Sequence, residues 1–559
     1  MTLSIIRGAE SHELVRDPHF QSQWTQLYEA CPWATACQSP GFVTAWHEAY
    51  KDRYSPLVVS EFSPSRQLIG LLSLATENSS GRVVVAGGHQ AEYKAWLALP
   101  SNGSSFMEAA LAQLACETDI STLSLRYLPP GTPIDWIIRS QGPRTCELHP
   151  HPRPIIPIGS GTDLAAYLQE KKSGKSVRNC WNRLKRLGSL RLEQIREAGQ
   201  LALVFDQLIT YYDIRQGGMH GKFPFRSDLA KKPFHLALLR VPNLLHVTLL
   251  KAGQETISAS FGVTHHNVYS GMMPMISPFH AADSPMQVHL LMLLEQLHQD
   301  GYSVFDLTAS IDPFKERFAA TYDSVHVLSI YFRRRDWIKQ KVTQRCQALA
   351  RRVLRSLQIA PNRALEHGQQ LIGVPLRTAP SALARKLMAL SRTCWSATEL
   401  RVYRFESKNA RLLEDTPMWS RDHLSDLLAF QSMEVWRTRS QYLAESLKRI
   451  EKGHHFYTHV ENGRLLHISW LIENQEMKVV PETDQMFPFP PGSAFVYGSY
   501  TDPGSRGHGL FRSALRQMLH YAARAPGIRY VFIAVLADNK PACHVLEKVG
   551  FSAVSVFVG

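Results

Sequence analysis

The stretch Phe495-Val496-Tyr497-Gly498-Ser499-Tyr500-Thr501-Asp502-Pro503-Gly504-Ser505-Arg506-Gly507-His508-Gly509-Leu510 decides how this chain is read. Its opening residues are aromatic, β-branched and small, as in a buried strand. A glycine-rich loop follows, and the pattern from Leu510 to Arg524 predicts a helix. At such a junction successive amide N–H groups point outward and the helix dipole adds partial positive charge, which suits a pyrophosphate. Gly507 and Gly509 let the backbone approach phosphates with no Cβ in the way. Arg506 and Arg512 add charge. A Gly-x-Gly before a helix is by itself equally a tight turn with no ligand. What lies downstream strengthens the ligand reading. A further strand ends in Ala537-Asp538-Asn539-Lys540-Pro541-Ala542, and the next helix ends in Glu547-Lys548-Val549-Gly550-Phe551.

Working outward, residues 396–559 read as one compact α/β unit. Strands are expected at Val402–Phe405, Phe456–Val460, Leu465–Ile472, Ala494–Tyr500 and Tyr530–Leu536, with a last one after Phe551. Helices are expected near 422–431, 441–451, 510–524 and 541–548. Glu461-Asn462-Gly463-Arg464 is a hairpin turn with Asn-Gly at its centre. This unit resembles the GNAT acyltransferases. Their acyl-CoA motif is matched by Arg506, Gly509 and, with a larger side chain, Phe511. Their later motif is matched by Asn539, Gly550 and Phe551.

The resemblance implies that the amides from Arg506 to Ser513 (Gly507, His508, Gly509, Leu510, Phe511 and Arg512 among them) hold the pyrophosphate of acetyl-CoA. It implies that the strand Val496–Tyr500, with Gly498, pairs with the pantetheine arm, and that its splay from the next strand seats the thioester. Many relatives carry a Tyr seven residues after the Asn, as acid for the leaving thiolate; here that position is Leu546. The strand Ala494–Tyr500 holds no Glu for a general base. Tyr497, Tyr500, His544 and His467 are the proton-transfer candidates, each weighed against plain packing or surface placement. An acyltransferase can work with little acid–base help if the amine is delivered neutral and well placed.

The N-terminal 335 residues carry a longer resemblance, to FemAB-like acyltransferases, which are built of two GNAT-like units in tandem. Trp24, Leu27, Cys37 to Phe42, Trp46 and Leu68 to Leu74 match the first unit. Ser176 to Asn179, Arg183, Arg215, Asp283 to Pro285, Gly301 to Asp306 and Pro313 to Phe318 match the second. Relatives usually place glycines where this chain has Met286 and Thr308. The fold expected is α/β (α+β): three GNAT-like units, each a mixed sheet flanked by helices. The divisions are 1–155, 156–335, a basic helical linker 336–395, and 396–559. The segment from Leu128 to Gly161, rich in Pro, Gly and His, reads as a loop ending in a short apolar run. Arg215 and Lys315 are candidates for binding a phosphate or carboxylate of the substrate. Ion pairing of Lys315 with a neighbour such as Glu316 is the equal alternative.

Charge is unevenly spread. The chain has 559 residues and a net charge of +14. Fourteen Lys and Arg stand against two acids between Arg333 and Trp395, and seven stand against none between Lys171 and Arg186. The rest is mildly acidic, so the excess points to local anionic contacts. From Trp337 to Leu357 apolar residues recur every three or four positions, an amphipathic helix with a basic outer face. Leu383, Leu387 and Leu390 suggest a second short one. Three partners fit the stretch 333–395: an anionic membrane surface, an acidic acyl-carrier protein, or, less well, tRNA. Packing between the two halves is the alternative to all three. Eight scattered cysteines with no C-x-x-C pair suggest reduced thiols in the cytoplasm, and no signal peptide or spanning segment is expected. Paired histidines lack metal-ligand spacing, so no metal is expected. The function expected is acyl, most simply acetyl, transfer from acyl-CoA to an amine of a small molecule or of a cell-envelope or exopolysaccharide precursor. Aminoacyl-tRNA-dependent transfer and a non-enzymatic role at the inner face of the membrane are the alternatives.

Overall fold

The computed structural model of the protein describes residues 2–117, 120–139, 144–356, 399–412, 419–431, 438–474, 477–480 and 485–558. It divides into two compact units, Met1–Ile209 with Pro224–Val353, and Thr210–Phe223 with Leu354–Gly559. The short helix expected around Leu383 to Leu390 lies outside the described residues.

The first unit holds two sheets. One contains β1 (Thr2–Arg7), β2 (Tyr54–Phe62), β3 (Leu68–Glu77), β4 (Val83–Val85) and β5 (Leu97–Ala98), all paired antiparallel. The other contains β6 (Thr122–Leu128), β7 (Thr145–Pro157), β8 (Leu190–Ile195), β9 (Leu245–Ala252), β10 (Glu255–His265), β11 (Val268–Ile276), β12 (Val304–Asp306) and β13 (Thr321–Tyr331). Their order is β6-β13-β7-β12-β11-β10-β9-β8. The pair β11–β12 is parallel, so this sheet is mixed. The helix Pro285–Gln299 buries Leu290, Leu291, Leu293, Leu294 and Leu297 against Ile156, Tyr269 and Phe305 of this sheet. The division expected at 155–156 falls inside β7.

β7 corrects the loop expected over 128–161. It pairs with β13 over eleven residues, from Thr145↔Tyr331 to Ile155↔Thr321. Pro150, Pro152 and Pro154 recur every second residue. An antiparallel strand donates to one neighbour only from alternate residues, so prolines at a period of two leave the ladder to β13 intact. On the other side β12 meets only Ile155 to Pro157, beyond Pro150, Pro152 and Pro154.

The second unit contains β14 (Glu399–Glu406), β15 (Ser420–Arg421), β16 (His455–Glu461), β17 (Arg464–Ile472), β18 (Met477–Val480), β19 (Gln485–Pro488), β20 (Ser493–Thr501), β21 (Tyr530–Leu536) and β22 (Ser552–Val558). Seven of them form a sheet in the order β15-β16-β17-β20-β21-β14-β22, and β18 pairs β19 separately. Asn462 and Gly463 turn β16 into β17 with φ of 50° and 71°, the paired left-handed values of the hairpin expected there. The helix Leu510–Arg524 buries Ala514, Leu515, Met518, Leu519 and Ala522 on the sheet. The helix expected over 422–431 is only one turn, Leu424–Leu427. Asp422 sits at φ 54° and its carboxylate accepts from the Phe456 amide at 3.0 Å, which holds the chain out of helical geometry up to that point.

Candidate active site

β20 and β21 run parallel from Ser493↔Tyr530 to Val496↔Ile533, and there their pairing stops. Beyond it β20 pairs only with β17, and β21 continues with β14 as far as Leu536↔Leu400. The two strands therefore part at Tyr497. Between them opens a cleft of about 1310 Å³, lined by Tyr497 to Thr501 from one side and Ile533 to Leu536 from the other. Gly498 sits at the parting with φ 58°, where a Cβ would lie 2.7 Å from the Arg449 guanidinium. That position needs glycine both for its left-handed backbone and for space.

At one end of the cleft is the start of the helix Leu510–Arg524. Gly509, at φ 78°, is its N-cap and no side chain caps it. The first bond of the helix is Ser513 N–H to Gly509 O, 3.0 Å. The amides of Leu510, Phe511 and Arg512 thus have no intrahelical acceptor and carry the positive end of the dipole. Gly507, at φ 85°, has nothing within 4 Å of where a Cβ would be. Asp502 accepts from the Gly504 amide (3.2 Å) and from Arg464 (2.7 Å). Its charge is used in fixing the loop. Arg506, His508 and Arg512 are exposed at the mouth, and Arg506 Nε donates to Thr501 O at 3.3 Å. The ring of Phe511 turns into the core, so only its amide need face a ligand.

The far wall comes from the helix Lys540–Val549. Asn539 is its N-cap, its Oδ1 accepting from the Ala542 amide at 3.3 Å, and Asn539, Ala542 and His544 all line the cleft. His544 is exposed, whereas Leu546 is fully buried in the core. Tyr497 lines the cleft with its hydroxyl 2.5 Å from His454 Nδ1. Burial, only partly offset by Arg449, raises its pKa to about 12. Tyr500 also lines the cleft, its ring edge-on to Phe430 at 5.6 Å.

One arrangement was not legible in the sequence. His467, fully buried on β17, has Nε2 2.8 Å from Ser469 Oγ and Nδ1 2.8 Å from Thr501 Oγ1. Ser469 Oγ lies 2.8 Å from Ser499 Oγ. Ser499 and Thr501 both line the cleft. A chain of hydroxyls and one imidazole therefore begins and ends at the cleft wall. Burial, with a smaller push from His459, lowers the His467 pKa to about 3, so the ring is neutral in ordinary buffers. The signal was the alternation of His467 with Ser469 and of Ser499 with Thr501, but only strand register shows that these pairs meet.

The two substrate-binding candidates of the N-terminal half lie in different units. Lys315 Nζ donates to Thr308 O and Oγ1 (both 3.1 Å), to Ala309 O (3.3 Å) and to Ser310 Oγ (3.3 Å). Thr308 and Ser310 have φ of 66° and 93°, so Lys315 ties down a left-handed loop at the site where relatives carry glycine. The Thr308 amide is held by the buried carboxylate of Asp306 at 2.7 Å, which also accepts from Tyr93 at 2.5 Å. Arg215 is half-buried on the helix Ala198–His220, in the part that groups with the second unit. In the basic run 171–186, Lys172 pairs with Glu295 and Arg183 with Asp283 (2.8 Å). Among the described residues no group of three or more His, Cys, Asp and Glu gathers to hold a metal ion.

Comparison with known proteins matches two segments of the chain to GNAT domains. Residues 171–316 match the family described as acetyltransferase (GNAT) domain, and residues 421–551 match the acetyltransferase (GNAT) family. Two segments of the chain thus match GNAT acetyltransferase models, the second of them, 421–551, holding the cleft described above. The comparison with curated proteins finds no match. Solved structures similar to it include FemX, at 9% identity over 55% of this chain and 95% of that one, with a TM-score of 0.39. Another is the C-terminal domain assigned to a lysylphosphatidylglycerol synthetase of Agrobacterium fabrum, at 12% identity over 57% and 92%, with a TM-score of 0.36. A third is a tandem GNAT protein from the clavulanic acid biosynthesis pathway, at 13% identity over 66% and 97%, with a TM-score of 0.22. Likenesses at these identities and scores assign no reaction.

Proposed function

We propose that the unit holding β14 to β22 transfers an acyl group, acetyl in the simplest case, from acyl-CoA to an amine of a small molecule or of a cell-envelope or exopolysaccharide precursor. The observation that carries this is the parting of β20 and β21 beyond Val496 and Ile533, with uncapped helix amides at the same cleft. Those features fit CoA at both ends. The amides of Leu510 to Arg512 and the open glycines suit its pyrophosphate. The edge of β20 that β21 has left offers backbone groups to an extended arm. When bound, the cofactor supplies a thioester carbonyl open to attack by an amine.

The residues of the chain then position and deprotonate. The cleft holds the amine near the parted strands, where placement alone lowers the barrier. With His467 protonated at Nδ1, Ser499 Oγ accepts a proton from the amine and passes its own to Ser469. Ser469 passes its own to His467 Nε2, Nδ1 gives its proton to Thr501, and the Thr501 hydroxyl releases one to the cleft. The imidazole ends neutral, as its lowered pKa requires. Tyr497, protonated throughout the neutral range, is the acid nearest the parting and suits the leaving thiolate.

Isothermal titration of acetyl-CoA into the full chain tests the reading. Saturable binding that is lost in Gly509→Trp is expected. No binding, or binding that the bulky side chain leaves intact, sinks it.

A further inference from the structure

The helix Arg334–Ser356 is tied to the body at its start. Trp337 Nε1 donates to Glu147 Oε1 at 2.6 Å, and Lys341 pairs with the same carboxylate at 2.8 Å. From Val342 to Leu349 the helix has no buried face. Every residue from Val342 to Leu349 is exposed, two full turns of helix with solvent all round. An apolar line runs along the helix from Ile338. Ile338 is 48% exposed, Val342 55% and Leu349 60%. At about 100° per residue these three fall within roughly 40° of one another on the helix surface. Exposed cations flank the line on both sides, Arg345 and Arg352 on one and Arg335 and Lys339 on the other. The described helix carries eight Lys and Arg against one acid, Asp336.

Most helical stability in proteins comes from packing an amphipathic face, so an apolar stripe adds stability only when something covers it. The chain that follows does not neutralise the flanks. Residues 357–398 contain five Lys and Arg against one acid. The stripe and the two cationic edges run side by side along a convex surface with no groove. A bilayer takes such a surface at a single depth, acyl chains against Ile338, Val342 and Leu349, and lipid phosphates against the flanking cations. Among the described residues no helix is long and apolar enough to cross a membrane, so the contact is interfacial. We propose that the helix Arg334–Ser356 docks the protein in the plane of an anionic lipid surface, with its apolar stripe in the bilayer.

Co-sedimentation of the full chain with vesicles tests this. Vesicles of phosphatidylcholine with about 30 mol% phosphatidylglycerol should pellet the protein, and vesicles of phosphatidylcholine alone should not. Raising the salt should weaken the binding. The triple variant Ile338→Gln, Val342→Gln, Leu349→Gln keeps the charge and alters only exposed positions; it should lose about tenfold or more in partitioning, with its thermal midpoint unchanged. Arg345→Glu with Arg352→Glu should lose binding to the anionic vesicles as well. Failure of the wild-type chain to pellet with anionic vesicles overturns the proposal. Equal pelleting by the glutamine variant also overturns it, placing any binding on another basic segment. Saturable binding of an acidic carrier protein that the glutamine variant abolishes, with no vesicle binding, puts a protein on the stripe instead.

Discussion

Ser499 is the residue on which the proposed chemistry turns. Among the described residues it is the one hydroxyl that both lines the cleft and contacts Ser469, which leads to His467. Ser499→Ala should lower the rate of thiol release from acetyl-CoA in the presence of an accepted amine by about 10²-fold, the usual weight of general acid–base help. CoA affinity should hold within about twofold, because the pyrophosphate amides are untouched. His467→Gln should lower the rate by a similar factor at every ordinary pH, since it breaks the relay but keeps hydrogen bonds to both neighbours, and the ring it replaces is neutral across that range. An unchanged rate in Ser499→Ala would show that the amine arrives neutral and that the relay only packs. Leu546 adds a constraint at this scale. It is fully buried, so no hydroxyl stands where many relatives keep their acid, and Tyr497 is left as the nearest phenol.

At the scale of elements, two helix starts face the same cleft and are built differently. The helix Lys540–Val549 is capped by its own Asn539 side chain. Asn539→Ala should cost about 1 kcal/mol of stability and Asn539→Ser much less, read as urea midpoints of the full chain. The helix Leu510–Arg524 has no side-chain cap and leaves its amides open, a cost usually avoided where no ligand is bound. Gly509 holds that start in the left-handed region. Gly509→Ala should therefore destabilise by about 1–2 kcal/mol, and the gap to wild type should widen when CoA is added if the amides bind it, because the wild type then gains more from the ligand. A loss unaffected by CoA would leave the junction as a turn.

For the whole molecule, buried histidines set the response to acid. Burial is the largest cause in each case. It lowers His47 and His289 to about 3 and His235, His246 and His265 to about 4 in the first unit, against an ordinary value of 6.5. In the second unit His467 is lowered to about 3. Each ring is neutral when folded, while the unfolded chain takes up a proton once the pH drops below 6.5. The unfolded state then binds more protons, so stability is fully present above that pH and is lost as pH falls toward the folded values. Each fully buried ring withdraws on the order of 1–2 kcal/mol by about pH 5. Hydrogen exchange followed by mass spectrometry should show protection falling between neutrality and about pH 5, more steeply in the first unit than in the second. Equal slopes would show that the rings find protonated partners on acidification.

By itself the sequence determined most of the second unit, though not the short strands β15, β18 and β19 or the single turn Leu424–Leu427. Its strands and helices follow from short-range patterns, Asn462-Gly463 fixes a hairpin, and the glycine loop with Asn539 and Gly550 marks the cleft walls. These are local preferences, set by dihedral freedom and by the period of apolar residues. Three features had to wait for the tertiary structure. β7 looked like a loop because prolines disfavour strands, and only its one-sided pairing with β13 makes their spacing tolerable. Thr308 stands where relatives have glycine, and its left-handed backbone is held by Asp306 and Lys315, groups that the fold brings together. The relay through His467 depends on which residues of β17 and β20 face each other. That register is a long-range property, because sliding one strand by a single residue would turn every hydroxyl to the opposite face.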